Sequence, residues 1–267
     1  MMKVLFVCTG NTCRSPMAEG YLKSKGIICE SRGLAADGSA VSQNAKTVMA
    51  EIGIDISGHI SKQLTNNDIK SFDKIICLSK SHFDYLSSLD IKCHVLGGGI
   101  SDPFGCGLDV YRNCRDEIIC EIDKLFVLEM DDRHINDVLE IENACFSHPW
   151  TKQNIIDAKN NHTHFFVYET NDKAVGYVGL SVILDEGYIT NIAVLPEFRK
   201  KGIATALLNK LDDFAKTNKL CFISLEVRIS NENAISLYEK FGYKKEGCRK
   251  NFYDTPKEDA LILTKRF

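Results

Sequence analysis

The stretch from Lys3 to Pro16 constrains the fold of this chain more than any other. Lys3 to Cys8 is a short β-rich run, Thr9-Gly10-Asn11-Thr12 breaks it, and Pro16 to Lys25 places Met17, Tyr21 and Leu22 at helical spacing. A strand that turns through Gly and Asn straight into a helix brings backbone amides together at the helix N-terminus, where an anion is favoured. The alternation continues with a helix over Ser42 to Ile52, a strand over Lys74 to Leu78 and a helix over Leu108 to Leu125. In that last helix Val110, Ile118, Ile119, Ile122 and Leu125 form the expected apolar stripe. Strands alternating with helices predict a parallel sheet and an α/β fold class.

The pattern restarts at Phe126 with a strand-like Phe-Val-Leu-Glu-Met. A helix over Ile135 to Phe146 follows, then strands near His164 to Glu169, Ala174 to Leu184 and Gly187 to Val194. A chain of 267 residues exceeds one typical domain. The expected division is therefore residues 1–125 and 126–267, with no Pro, Gly or Ser-rich linker between them. Charge is balanced in both parts, 14 Lys and Arg against 15 Asp and Glu up to Leu125 and 19 against 21 beyond it. Neither part carries the basic surplus that phosphate backbones demand, so no nucleic acid partner is expected. The opening Met-Met-Lys-Val-Leu-Phe-Val-Cys is too short an apolar run for a signal peptide, and no stretch is long enough to cross a membrane. Eleven cysteines, an odd number without zinc-like spacing, fit a reducing compartment better than a disulfide framework. These features together predict a cytoplasmic protein with no membrane partner. Cys29, Cys77, Cys93, Cys120 and Cys221 lie in or beside apolar runs and are expected to be core filler.

Cys8 and its surroundings are different. A cysteine at the base of an amide loop feels the helix field and Arg14, which are expected to favour its thiolate near neutral pH and make it a nucleophile. Arg14, six residues on, can fork onto two phosphoryl oxygens. Gly10 permits close backbone approach, Asn11 tolerates a left-handed turn, and Ser15 can donate to the sulfur. Thr9, Gly10, Asn11, Thr12, Cys13 and Ser15 thus form the candidate phosphate cradle. Cys13 is either buried filler or a partner that traps an oxidised Cys8.

This string resembles that of the low-molecular-weight protein phosphatases, over about Met1 to Leu125. The resemblance implies a three-layer fold around a parallel sheet and a phosphocysteine intermediate formed by Cys8. It also implies Arg14 on the equatorial oxygens and an Asp-Pro acid, here Asp102 of Asp102-Pro103-Phe104. Asp102 would protonate the leaving group and later act as the base. Ser31, Gly33 and His59 match supporting segments. Thr12 resembles the residue of bacterial protein-arginine phosphatases, and Phe104 alone follows the Asp-Pro pair, so phosphoarginine is slightly preferred over phosphotyrosine. The run from Ser87 to Ser101, with Gly97-Gly98-Gly99, is shorter than in the family, which bears on where Asp102 lies. An arsenate reductase reading needs a resolving cysteine pair after the second strand, where Leu78-Ser79 stands instead.

In the second part, Asn191-Ile192-Ala193-Val194 ends a strand. Arg199-Lys200-Lys201-Gly202-Ile203-Ala204 then opens a helix carrying Leu207, Leu208, Leu211 and Phe214. Gly202 lets amides approach a pyrophosphate, and the basic residues add charge. Ile223, Leu225 and Val227 share one strand face, Glu226 the other, and Asn231 can cap a helix bearing Ala234, Leu237, Tyr238 and Phe241.

This order resembles the GNAT acetyltransferases, over roughly Phe126 to Phe267, and in Leu225-Glu226-Val227-Arg228 and Leu237-Tyr238-Glu239 it resembles the RimI branch. The resemblance implies a mixed-sheet domain and acetyl-CoA as acetyl donor, with no metal. Ile192, Ala193 and Val194 would lie on the pantetheine arm, Arg199, Lys200, Lys201, Gly202, Ile203 and Ala204 on the pyrophosphate, and Asn231 on the cofactor arm. Glu226 would remove the amine proton, Tyr238 would protonate the departing sulfur, and Tyr253 would contact the acceptor; His148-Pro149-Trp150 matches a family loop ahead of the second helix, where the sole Trp is either part of that loop's role or packing. The acceptor would be a protein N-terminus, that of a ribosomal protein in the branch it resembles. The expected whole is a bifunctional enzyme acting on a phosphorylated protein and on an N-terminal amine. The rival reading makes one half a module that binds phosphate or coenzyme A without turnover.

Overall fold

The computed structural model describes residues 3–267. By its internal contacts the chain splits into two compact units, Met1–Leu125 and Phe126–Phe267.

In the first unit β1 (Lys3–Cys8) leads to α1 (Arg14–Ser24), β2 (Ile28–Gly33), α2 (Gln43–Ala50) and α3 (Asn66–Ser71). Then come β3 (Lys74–Cys77), α4 (Lys80–Ser87), β4 (His94–Val95) and α5 (Leu108–Lys124). The strands form a parallel sheet in the order β2-β1-β3-β4. Val4, Leu5, Phe6 and Val7 of the central strand are fully buried, because a parallel sheet is covered on both faces. Leu5 and Val7 pack with Ile75, Cys77, Leu86 and Cys93. Met17, Ala18, Tyr21 and Leu22 form the buried side of α1, and the Tyr21 hydroxyl ties it to Asp123 of α5 at 2.8 Å.

The apolar stripe of α5 departs from expectation. Val110 is 43% exposed, and the buried side is Tyr111, Cys114, Arg115, Ile118 and Ile122. Arg115 is accommodated there because its guanidinium donates to Val48 O and Glu51. The strand β2 had no hydrophobic signature, since its inward positions are Cys29, Ser31 and Gly33. Of the presumed filler cysteines, Cys29, Cys77 and Cys93 are buried and Cys120 is half-buried. Cys221 is exposed, because it lies just before a strand and donates outward to Asp185.

The second unit runs β5 (Val127–Glu129), α6 (Ile135–Cys145), α7 (Lys152–Asn160), β6 (Thr163–Thr170), β7 (Lys173–Ile183) and β8 (Glu186–Val194). It continues with α8 (Ile203–Thr217), β9 (Phe222–Arg228), α9 (Glu232–Lys240), β10 (Lys244–Asp254) and β11 (Lys257–Arg266). The sheet order is β10-β11-β9-β8-β7-β6-β5, antiparallel except for β8 and β9. Those two pair only from Glu186↔Phe222 to Tyr188↔Ser224, although β8 runs on to Val194 and β9 to Arg228. Beyond Tyr188 they diverge, leaving a backbone edge of β8 open to a cleft. Ile203, Ala206, Leu207, Leu208, Leu211 and Ala215 bury one face of α8, as its apolar spacing dictates. On α9 only Tyr238 is buried, because the stripe with Ala234 and Leu237 faces the cleft rather than the core.

Gly33 lies beside Cys8 in the sheet, and a Cβ there would sit 2.6 Å from Thr9 O and 3.1 Å from the Asn11 Cβ. Backbone cannot yield that distance, so Gly33→Ala is expected to displace the loop after β1 and to cost about 1–3 kcal/mol. Urea denaturation of the two proteins checks this, and equal midpoints would refute the close-approach argument.

Candidate functional site

The loop after β1 is shaped by where its carbonyls go. Cys8 O accepts from Leu34 N, Thr9 O from Ala35 N and Thr12 O from Ser42 N, each at 2.9 Å. With the carbonyls tied outward, the amides between them turn inward. The reversal passes through Asn11, whose φ is 55°, a left-handed value that Asn tolerates better than most residues. Asn11 is buried and saturated: its amide nitrogen donates to Ser15 Oγ and Ser31 Oγ, both at 2.8 Å, and its Oδ1 accepts from Lys62 N at 2.8 Å. His59 donates through Nε2 to Asn11 O at 3.1 Å, and Ser31 donates to Glu19 at 2.6 Å. Ser31, Gly33 and His59 are therefore supports of this turn.

Cys8 Sγ receives the Asn11 N–H at 3.2 Å and lies 2.9 Å from Ser15 Oγ. It faces a cavity of about 260 Å3 lined by residues 8–14 with Asp102 and Phe104. The short connection before α5 thus still brings Asp102 to the cradle. Of the candidate phosphate-site residues, Ser15 alone is outside this lining, standing behind the sulfur. Arg14 is buried, donating to Ile100 O at 2.9 Å and to Asp102 Oδ2 at 2.5 Å. Asp102 Oδ1 accepts from Phe104 N at 3.2 Å, and Phe104 is 74% exposed at the mouth.

Burial pushes the Cys8 thiol above its ordinary value, and it outweighs the lowering by Ser15, the Asn11 amide and Arg14. Cys13 is buried, its Sγ 3.2 Å from the Tyr111 hydroxyl.

His82 was not singled out from sequence. It is buried, with Nε2 2.8 Å from Thr9 Oγ1 and Nδ1 2.7 Å from Ser79 Oγ, so it braces the first loop residue. The signal lay in Ser79-x-x-His82, the spacing of an N-cap and its third helical residue, which the Ser79 cap realises.

The second cleft, about 1330 Å3, lies where β8 and β9 part. Ile192, Ala193, Val194, Arg199, Lys200, Gly202, Ile203, Ala204, Glu226, Asn231, Tyr238 and Tyr253 all line it, as do His148 and Trp150. Lys201 does not; its ammonium sits over the Phe198 ring, 4.9 Å from the centroid. Lys200 and Gly202 have φ of 59° and 77°, and this left-handed pair turns the chain into α8 so that its first amides face the cleft. Arg199 is less a free charge than a clasp on the turn, since its Nε donates to Val194 O at 3.1 Å. Asn231 caps α9, accepting from Ala234 N at 3.3 Å.

Glu226 is paired with Arg249 at 3.3 Å, and Tyr253 donates to Glu226 O at 3.4 Å. The buried Tyr238 phenol is pushed up by its burial and then by Tyr253, so it keeps its proton at neutral pH. An open strand edge, a helix N-terminus and a long cleft fit an extended cofactor with a thioester at one end and a pyrophosphate at the other.

Burial, and then the charge of Arg14, depress the His82 pKa to about 4 from an ordinary 6.5. Between those values the unfolded chain binds a proton that the folded chain does not, so stability rises with pH across this window and is lost as pH falls through it. The loss is on the order of 3 kcal/mol. Denaturant unfolding at a series of pH values should show a shallower slope for His82→Gln; equal slopes would contradict the assignment.

Known proteins resemble each unit separately. Residues 3–136 match the family model of the low molecular weight phosphotyrosine protein phosphatases, and residues 135–243 that of the acetyltransferase (GNAT) family. A protein-arginine-phosphatase of Geobacillus stearothermophilus is 40% identical over 138 residues, covering 46% of this chain and 93% of its own. The ribosomal protein bS18-alanine N-acetyltransferase of Escherichia coli (strain K12) is 34% identical over 125 residues, covering 46% of this chain and 84% of its own. The crystal structure of the Escherichia coli ribosomal-protein-S18-alanine N-acetyltransferase superposes with a TM-score of 0.50 at 29% identity, over 52% of this chain and 92% of that one. The chain therefore belongs to two families, being a low molecular weight phosphatase in its first part and a GNAT acetyltransferase in its second.

Proposed function

We propose that the first unit hydrolyses phosphorylated proteins, phosphoarginine in slight preference to phosphotyrosine, through a phosphocysteine on Cys8. The observation that carries this reading is Cys8 Sγ facing a small cavity that Arg14, Asp102 and the loop amides share. Attack on phosphorus needs the sulfur deprotonated, and an oxygen of the incoming phosphoryl group is the proton acceptor at hand. The Ser15 hydroxyl, the Asn11 N–H and Arg14 then hold the thiolate against burial. Arg14 keeps donors beyond those given to Ile100 O and Asp102, and these serve the equatorial oxygens. Asp102 gives a proton to the leaving nitrogen or oxygen, then takes one from the water that frees Cys8. Thr12 in the lining and Phe104 as the lone aromatic at the mouth favour the guanidinium substrate, as does the similarity to a protein-arginine-phosphatase.

We infer that the second unit acetylates a protein N-terminal amine, in keeping with its similarity to ribosomal-protein alanine N-acetyltransferases. The parting of β8 from β9 carries this reading, because it opens a strand edge that ends at the amides of α8. Acetyl-CoA, when bound, supplies the thioester. The residues assigned to it are 192–194 along the edge, 199–204 at the turn, with Lys201 outside the lining, and Asn231 opposite. Glu226 takes the amine proton through water, and Tyr238, which keeps its proton, gives it to the departing sulfur.

The two activities are expected to separate cleanly. Cys8→Ser should reduce p-nitrophenyl phosphate hydrolysis by roughly a thousandfold or more and leave acetyl transfer intact. Glu226→Gln should slow acetyl transfer roughly 10²–10⁴-fold and leave the phosphatase intact. An unchanged rate in either case removes that assignment. Thr12→Ile should move preference from phosphoarginine toward phosphotyrosine peptides, read as the ratio of kcat/KM values; an unmoved ratio defeats the substrate argument.

A further inference from the structure

Glu142, on α6, is fully buried and takes no part in the chemistry above. Its Oε1 accepts from the Tyr177 hydroxyl and from Asn191 Nδ2 at 2.8 Å, and its Oε2 accepts the Trp150 N–H at 2.6 Å. All three partners are donors, so both carboxylate oxygens act as acceptors. One side chain thus joins α6 to β7, to β8 where it borders the cleft, and to the loop that carries His148 and Trp150. Burying a carboxylate is costly unless each oxygen is satisfied, and this arrangement satisfies both without opening the group to solvent.

The loop so held is one wall of the cleft. Ser147 Oγ donates to Thr255 O at 3.5 Å, linking that wall to the β10–β11 turn. The turn is itself seated on β9: Arg228 donates to Thr255 O at 2.9 Å, and its guanidinium lies 4.1 Å from the Tyr253 ring centroid. Tyr253 reaches the backbone of Glu226. Residues 147–150 and 253–256 therefore meet at Ser147 and Thr255 on the cleft wall, and Tyr253 joins the second of them to Glu226.

We propose that Glu142 is a positioning residue for the acceptor peptide, holding residues 147–150 against the cleft through the Trp150 amide and so setting peptide affinity rather than acetyl-CoA affinity or the rate of transfer. The proposal rests on the acetyltransferase reading. Replacement by Gln should break it selectively. A Gln carbonyl can serve Tyr177 and Asn191 together, which leaves the amide NH2 facing the Trp150 N–H, two donors that cannot bond.

The test uses the full chain, an N-terminal peptide acceptor and acetyl-CoA. In Glu142→Gln the peptide KM should rise roughly tenfold, while kcat and the acetyl-CoA KM stay within about twofold. Trp150 is the single tryptophan of the chain, so acrylamide quenching of its fluorescence reports on the wall without any turnover. Quenching should rise in Glu142→Gln and stay at the wild-type level in Tyr177→Phe, which keeps the Trp150 bond. Wild-type peptide KM and quenching in Glu142→Gln would overturn the proposal, as would an equal rise in both KM values. Should Glu142→Gln not fold, Glu142→Asp, too short to reach both ends, is read in the same assays. A wild-type chain that acetylates no peptide would count against the acetyltransferase reading, and the quenching comparison would still decide whether Glu142 holds the wall.

Discussion

Each site depends on one backbone event, a strand that stops and reverses through left-handed residues into a helix. Asn11 makes that reversal between β1 and α1, Lys200 and Gly202 between β8 and α8. Left-handed backbone strains most side chains, so the turn must be held by something other than its own preference. Around Asn11 the holding is done by Ser15, Ser31, His59 and the Lys62 amide, which use every polar atom of its side chain. Around Gly202 a residue without Cβ removes the strain, and Arg199 clasps Val194 O. The consequence in both units is amides aimed at a cleft instead of at the next strand.

At Cys8 burial raises the thiol while Ser15, the Asn11 amide and Arg14 lower it, burial being the larger influence. Arg14 is likewise engaged by Asp102 and Ile100 O, which fixes its guanidinium at the cradle and leaves further donors for an anion. In the second unit the same economy appears at Glu226, whose charge is met by Arg249, and at Glu142, whose two oxygens meet three donors.

What could be read in the sequence followed from pattern. The runs Lys3 to Cys8, Lys74 to Leu78, Gly187 to Val194 and Ile223 to Val227 fall on strands, and the residues that close both clefts stood in their expected order. What escaped did so for identifiable reasons. The inward face of β2 is made of Cys29, Ser31 and Gly33, chosen for closeness to the loop rather than for apolar area. Val110 is apolar yet exposed near the start of α5, and the stripe on α9 is turned to a cleft where a cofactor, not a core, would cover it. His82 and Glu142 act through partners remote in sequence, 73 and up to 49 residues away, so no local spacing could announce the whole of either network.

A crystal structure of the full chain grown with phosphate and coenzyme A tests the shared cradle most directly. It should place phosphorus opposite Cys8 Sγ with its oxygens on the amides of residues 9–13, and the pyrophosphate on the first amides of α8 beside Lys200 and Gly202. Phosphate bound away from Cys8, or coenzyme A lying outside the gap between β8 and β9, would contradict the account.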